Sequence, residues 1–146
     1  MTDKEEITSL INDAVKLHGH LGPFLVIGVR MGSLAEKTLN LDEKDKRELQ
    51  AIVHTPAFTP FTCAIDGIQA TTTCTVGNQR LKISNSRKKI TALFQTQNPH
   101  RTLRIAVRPR VIDELTQKAS EHVGNEDLAA KIASMPTHQL FEVEQH

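Results

Sequence analysis

The chain has 146 residues, a length that fits one domain with a substantial core. Lys plus Arg number 18 and Asp plus Glu number 17, so the overall charge favours neither nucleic acid nor an acidic surface as a partner. The polar N-terminus does not resemble a signal peptide, and the longest apolar run, residues 24–31, is too short to span a bilayer. Because two cysteines do not make a disulfide scaffold, we expect a cytoplasmic protein with reduced thiols.

The first third of the chain predicts two helices separated by a sharp turn. Residues 3–17 place apolar side chains at helical spacing, with acidic residues in the first turns. Two glycines and a proline interrupt the pattern at 18–23, and Pro23 suits the first position of a second helix that reaches about Leu39. One side of this helix carries the small residues Gly28, Gly32 and Ala35. This side indicates close packing against another helix.

Residues 62–79 contain both cysteines and are predicted to form the helix that packs against the small residues of the second helix. Thr62 can cap it; alternatively Thr59 caps it with Pro60 at the first helical position, and in either case Gly77 ends it. One face would carry Cys63, Asp66, Gly67, Ala70 and Cys74. The spacing of the cysteines corresponds to about 16 Å along a helix, so they cannot bind one metal ion unless the helix breaks in its run of three threonines.

The remaining elements are mostly strands followed by helices. Residues 40–48 are predicted to be a charged connection, and the predicted strands are 49–55, 80–84, 89–96, 102–108 and the terminal segment 140–143. The last predicted helices are 111–122 and 125–134. Short turns between the three central strands favour an antiparallel meander. The pattern predicts an α+β fold, with helices packed on a mostly antiparallel mixed sheet.

Cys63 has the more reactive of the two cysteine positions. A thiol in the first turn lies near unpaired backbone N–H groups, which favour the thiolate that acts as nucleophile or metal ligand. On this basis we expect Cys63 to keep its thiolate to lower pH than histidine ligands keep their neutral form. Burial as a small apolar side chain is an equally good interpretation of both cysteines.

His18 and His20 form the second group of candidate ligands. Two imidazoles separated by one glycine can turn toward one point, although a turn with two helix-capping histidines is a comparable interpretation. Imidazole and thiolate together are typical ligands of zinc, and three of them leave a fourth position open. We therefore predict a metal site at His18, His20 and Cys63, with Cys74 outside it.

Other residues are weaker candidates. Asp66 can orient a ligand histidine from behind, or it is a solvated carboxylate that supports the helix. Gln69 can line the cleft, and His54 is a reserve ligand. We expect surface positions for His100, His122, His138 and His146.

Two segments carry a resemblance to a known family. The first is His-Gly-His-Leu-Gly-Pro at 18–23, followed by Gly-Val-Arg-Met-Gly at 28–32. The second is Cys-Ala-Ile-Asp-Gly-Ile-Gln at 63–69, followed by Cys-Thr-Val-Gly at 74–77. In order and spacing they resemble the FmdE family, whose members are associated with formylmethanofuran dehydrogenase. The similarity covers most of residues 10–108.

The resemblance implies a fold, an assembly and a role. It implies a core of helix, strand, helix and three strands, and a homodimer, which apolar helical faces at both ends of this core also favour. The family's metal site is carried over onto His18, His20 and Cys63. The resemblance further implies association with the molybdenum or tungsten enzyme that begins methanogenesis from carbon dioxide.

Three positions depart from the family pattern. Gly22 stands where the family often has Cys, Thr73 where it often has Gly, and Asn78 where it often has Lys. The last difference removes any chemistry that depends on that lysine. No four-cysteine zinc module follows the core, so we expect residues 1–146 to form a single core domain.

Three functions are compatible with the sequence. The first is a metal-binding protein that serves or assembles a one-carbon redox enzyme. The second is an enzyme in its own right, in which an open metal position or the Cys63 thiol does the chemistry. The third is a protein-interaction module with a structural metal.

Overall fold

A computed structural model describes residues 2–146, and within that range helices pack on a single mixed sheet of five strands. The helices are α1 (Asp3–His18), α2 (Pro23–Thr38), α3 (Glu43–Glu48), α4 (Cys63–Thr72), α5 (Pro109–Ser120), α6 (Asn125–Ser134) and α7 (Thr137–Leu140). The strands are β1 (Gln50–Thr55), β2 (Leu81–Asn85), β3 (Thr91–Gln97), β4 (His100–Val107) and β5 (Phe141–Gln145). The predicted α+β class is confirmed.

The first two helices form where the sequence predicts them. The Thr2 hydroxyl accepts a hydrogen bond from the Glu5 N–H at 3.1 Å and caps α1. The helix ends where Gly19 adopts φ 104°, a left-handed conformation that glycine takes without strain. Pro23 then occupies the first turn of α2.

The close packing of α2 against α4 is confirmed. A Cβ atom on Gly28 would overlap the carbonyl oxygen of Ala64, and one on Gly67 would overlap the carbonyl oxygen of Leu25. The backbones of the two helices therefore touch at two points. This contact brings the N-terminus of α4, with Cys63, next to the turn that precedes α2.

The helix after Cys63 is shorter than predicted. Thr73, with φ 60°, ends α4, whereas the sequence predicts an end at Gly77. The hydroxyls of Thr71 and Thr72 donate back to the carbonyls of the preceding turn, a bond that competes with helical geometry. The helix ends in the threonine run, so Cys74 does not share the helical face of Cys63.

The strand order differs from the predicted meander. The sheet runs β2-β1-β3-β4-β5, with β1 and β2 parallel and the other neighbouring pairs antiparallel. β1 lies between β2 and β3, so the antiparallel pairing that the meander implies for 80–84 with 89–96 is wrong, while the antiparallel pairing of β3 with β4 is confirmed. The physical reason is burial: β1 is covered along both edges, whereas four of five β2 residues are exposed, as suits an edge strand.

Two short helices lie in segments that the sequence assigns to other structure. α3 lies within the predicted charged connection, where Asp42 caps it by accepting the Asp45 N–H at 2.7 Å. α7 directly precedes β5. Both are too short for an apolar period to be visible in the sequence.

The core lies between the sheet and helices α2, α4, α5 and α6, which share one continuous buried cluster. A smaller cluster joins α1 to the opposite side of α2 through Ala14, Leu25 and Val29. Helices α2, α4, α5 and α6 therefore share the core with the sheet, and α1 packs on α2. Among residues 2–146, no helix is both long and apolar enough to cross a membrane.

Candidate functional site

The turn between α1 and α2 brings the two proposed histidine ligands together. The ring centroids of His18 and His20 are 4.6 Å apart, and the planes are tilted by 39°. The His18 side chain is 14% exposed, whereas His20 is exposed. One ring is therefore fixed in the protein, and the other is free to turn.

Asp66 holds the His18 ring from behind. Its Oδ2 lies 2.7 Å from His18 Nδ1, and its Oδ1 accepts a hydrogen bond from Gln69 Nε2 at 3.0 Å. Gln69 in turn accepts the Val76 N–H at 3.0 Å. Because the carboxylate accepts, we assign the proton to Nδ1, which leaves the lone pair on Nε2. Of the two interpretations of Asp66, the geometry therefore fits the one in which its carboxylate orients a histidine.

His18 Nε2 has no hydrogen-bond partner within residues 2–146, although it is buried. A buried polar atom without a partner costs about 1–3 kcal/mol, so such atoms call for an explanation. A histidine whose Nδ1 is fixed by a carboxylate and whose Nε2 is free has the arrangement that metal-binding histidines use.

Cys63 lies beside the two histidines at the start of α4. Its thiol, His18 and His20 line one cavity of about 40 Å³, which has room for an ion or a water molecule. The other walls are Gly22, Pro23, Phe24, Leu25, Pro60 and Asn125. The tertiary structure thus brings the three predicted ligands to one place.

The ligands are not yet arranged around one point. Among residues 2–146, no three His, Cys, Asp or Glu side chains are placed so that they could hold one metal ion as they stand. A site at this cavity therefore requires side-chain rotation, for which the exposed ring of His20 has room.

The protonation of Cys63 differs from the expectation based on helix position. Burial raises the pKa of its thiol, the Asp66 carboxylate raises it further, and only the backbone N–H of Cys63 lowers it. Burial and a nearby negative charge therefore outweigh the helix N-terminus. Without a metal ion, Cys63 is held as the neutral thiol.

Cys74 lies outside the cavity. Its thiol is fully buried and donates a hydrogen bond to the carbonyl of Leu49 at 3.1 Å. Burial raises its pKa, and a hydrogen bond with Thr72 and the nearby Arg80 partly counteract this effect. Cys74 therefore fits the interpretation of a buried cysteine that joins α4 to the start of β1.

The other candidates lie apart from the cavity. His54 sits on β1 and is not part of the cavity wall, and the four histidines expected at the surface are exposed. Asn78 lies at the position where the family often has Lys. Its side chain makes a local hydrogen bond, in which Nδ2 donates to the Thr73 carbonyl at 2.7 Å. Asn125, the first residue of α6, is a wall residue that the sequence did not indicate, because nothing local relates it to Cys63.

The fold and the cavity define a class of protein: an α+β domain in which a His-Gly-His turn packs against a helix that begins with cysteine. The family profile described as "FmdE, Molybdenum formylmethanofuran dehydrogenase operon" matches residues 17–142, and the chain belongs to this family.

Two individual proteins extend the comparison. A crystal structure of a tungsten formylmethanofuran dehydrogenase FmdE-like protein from Syntrophus aciditrophicus superposes with a TM-score of 0.64 at 17% identity. The match covers 96% of this chain and 71% of that chain, and at this identity it shows the shared fold. A curated protein from Archaeoglobus fulgidus, named a probable S-adenosyl-L-methionine-binding protein, is 34% identical over 82 residues. This second match covers 53% of this chain and 21% of that protein, so the chain spans about a fifth of this relative's length.

Proposed function

We propose that this protein binds a divalent metal ion, zinc above all, through His18, His20 and Cys63. The observation that carries the proposal is the buried, unpartnered Nε2 of His18, which faces no donor or acceptor within residues 2–146 while Asp66 fixes Nδ1. Neutral imidazole and thiolate suit zinc better than magnesium or calcium, which prefer oxygen ligands. The cavity supplies both ligand types and space for an ion.

Each ligand has a separate role in this proposal. His18 is preoriented by Asp66, and His20 turns inward from the surface. Cys63 gives up its proton, because the positive charge of the ion reverses the effect of burial on the thiol. Three protein ligands leave one position open, where a bound zinc ion would supply Lewis acidity.

The wider role that we propose is accessory to a molybdenum or tungsten one-carbon redox enzyme. It rests on membership in a family whose description names a molybdenum formylmethanofuran dehydrogenase operon. Co-purification with that enzyme, measured as molybdenum or tungsten content, tests this part. Activity of the isolated protein without such a partner would favour the alternative of a stand-alone enzyme with Cys63 at its centre. For a metal-free thiol enzyme, the raised pKa of Cys63 is unfavourable, because the thiol is not the nucleophile.

The direct test is a zinc titration against a chromophoric chelator at neutral pH. We expect wild type to bind one zinc ion per chain. Cys63→Ser should weaken binding by more than the roughly 10- to 100-fold that loss of an orienting neighbour costs, because it removes a ligand outright. Cys74→Ser is the matched control and should bind as wild type does. Retained binding by Cys63→Ser with loss in Cys74→Ser would show that the two cysteines are assigned the wrong way round.

A further inference from the structure

A second cavity lies on the other side of α2, away from the histidines and Cys63. It is a groove of about 750 Å³ between α1, α2 and the segment from α6 to the start of β5. It shares no wall residue with the small cavity at Cys63. Its volume falls in the range of about 300–1,000 Å³ that is usual for small-molecule sites.

One stripe of α2 forms a wall of this groove. It carries Arg30, Ser33, Leu34 and Lys37, which recur at helical spacing on one face. The remaining wall residues are half apolar and half polar. The apolar ones are Ile7, Ala130, Ala133, Met135 and Phe141, and the polar ones are Asp3, Lys4, Thr8, Ser134 and Thr137. The groove thus combines apolar surface with polar groups from several helices, and its basic side chains, Lys4, Arg30 and Lys37, outnumber its one acidic side chain, Asp3.

Arg30 is half-buried in this wall and has no carboxylate partner within residues 2–146. Its Nη1 donates to the carbonyls of Ile132, at 3.0 Å, and Met135, and its Nη2 donates to the Thr137 hydroxyl at 3.1 Å. Of the five N–H groups of a guanidinium, two therefore remain. Burial lowers the pKa of Arg30, because the charged guanidinium is partly removed from water.

Ser33 adds an unpartnered polar group beside Arg30. The residue is 6% exposed, it lines the groove, and its hydroxyl makes no hydrogen bond to any residue of the described chain. Lys37 differs, because its Nζ lies 3.4 Å from Glu6 and 3.7 Å from Asp3. On this stripe, Arg30 is therefore the cation without a carboxylate partner, and the Ser33 hydroxyl beside it is free to bond a ligand.

We propose that this groove binds a small amphipathic anion, with its carboxylate at Arg30 and Ser33 and its aliphatic body against Leu34, Ala133 and Met135. A carboxylate supplies the negative charge that Arg30 lacks and an acceptor for the free hydroxyl. The aliphatic body displaces water from the apolar walls, which is favourable. A neutral apolar molecule, or an apolar face of a second copy, would leave the guanidinium charge more deeply buried and still uncompensated.

The test uses octanoate, with 1-octanol as the neutral probe of equal chain length. Backbone amide shifts in a ¹H–¹⁵N correlation spectrum locate each probe on the full chain. We expect octanoate to give saturable shifts at Ser33, Leu34 and Ala133, with tighter binding than octanol. Equal affinity for the two probes, or shifts confined to the exposed Phe58 surface, would overturn the proposal. Shifts of the same groove residues on increasing protein concentration alone would instead assign the groove to a second copy.

Three variants separate the head group from the body of the ligand. Arg30→Gln should weaken octanoate about tenfold and leave octanol unchanged, because only the charged contact is lost. Ser33→Ala should weaken octanoate less and is not expected to disturb the fold. Ala133→Trp should fill the groove and abolish the shifts caused by either probe. Retained octanol binding by Arg30→Gln confirms that this variant is folded, since Arg30 also bonds carbonyls at the end of α6. Undiminished octanoate binding by Arg30→Gln would overturn the assignment of the head group.

Discussion

His18 differs from the other histidines in what holds its ring. Asp66 fixes one nitrogen, and the remaining nitrogen is buried without a partner in the described chain. Gln69 holds the second oxygen of Asp66, so the carboxylate cannot easily turn away. The His-Gly-His spacing in the sequence indicated this residue. Asp66 was a candidate to orient it, because it lies on the same predicted helical face as Cys63.

Asp66→Asn should weaken zinc binding by roughly 10- to 100-fold without removing a ligand. The amide cannot accept from His18 and from Gln69 as a carboxylate does, so the ring loses its fixed orientation. The chelator titration measures the effect, and Asp13→Asn, at an exposed position of α1, is the matched control. Wild-type affinity in Asp66→Asn would contradict an orienting role.

Cys74 contributes to stability in a way that depends on pH. Burial raises the pKa of its thiol in the folded state, so the folded chain holds this proton more tightly than the unfolded chain. The contribution is fully present below the pKa of an unfolded thiol, about 8.5, and is lost as pH rises through the higher folded value. The free energy of unfolding of wild type should therefore fall relative to Cys74→Ala between neutral pH and about pH 10. Urea denaturation of both proteins over this range tests it, and a constant difference would contradict it.

The contact between α2 and α4 determines whether the site can form. α2 carries the histidine turn at its start, and α4 carries Cys63 in its first turn. Small residues on both helices predicted this contact from the sequence, and the structure confirms it at Gly28 and Gly67. The end of α4 was not predictable from helical spacing, because hydroxyl-to-carbonyl bonds of the threonines decide it.

Gly28→Ala should lower the free energy of unfolding by about 1–3 kcal/mol, even though alanine favours a helix by up to ~1 kcal/mol. The added methyl group meets the backbone of Ala64, which can move only if the helices separate. Gly124→Ala is the control, since its Cβ would meet its nearest neighbour, Asp127 Oδ2, at 4.0 Å. Denaturant unfolding of both variants gives the comparison, and the control should lie within about 0.5 kcal/mol of wild type. An equally small change in the free energy of unfolding of Gly28→Ala would show that α2 and α4 can move apart at little cost.

At the scale of the whole molecule, some apolar side chains remain uncovered. Phe58 is 62% exposed, and its ring packs edge-on against Phe61 at 5.2 Å, which in turn contacts Phe24 in the cavity wall. Leu17, directly before the histidine turn, is 55% exposed. Exposed apolar patches are typical of surfaces through which proteins associate.

We predict that the protein is a homodimer at micromolar concentration, from its family and from these exposed apolar side chains. Multi-angle light scattering should give twice the chain mass. Phe58→Ser should shift the mass toward that of the monomer, whereas Val143→Ser, on the edge strand β5, serves as the exposed apolar control. A monomer mass for wild type would refute the prediction.

The sequence by itself determined the local elements and the identity of the proposed ligands. Apolar spacing placed α1, α2, β1, β3 and β4, and glycine, proline and small residues marked the turns and the helix contact. These features are visible because they depend on residues within one or two turns of each other. The metal site itself stays a prediction, for which the structure provides the cavity and the free nitrogen.

Only the tertiary structure decided how distant segments meet. It inserted β1 between β2 and β3, because pairing along a sheet depends on which strand edges can be buried, and no local spacing encodes that choice. It brought Asn125 to the cavity and Arg30 to the groove beside α6. It also raised the pKa of Cys63, because burial and Asp66 act through space while the helix position acts along the chain.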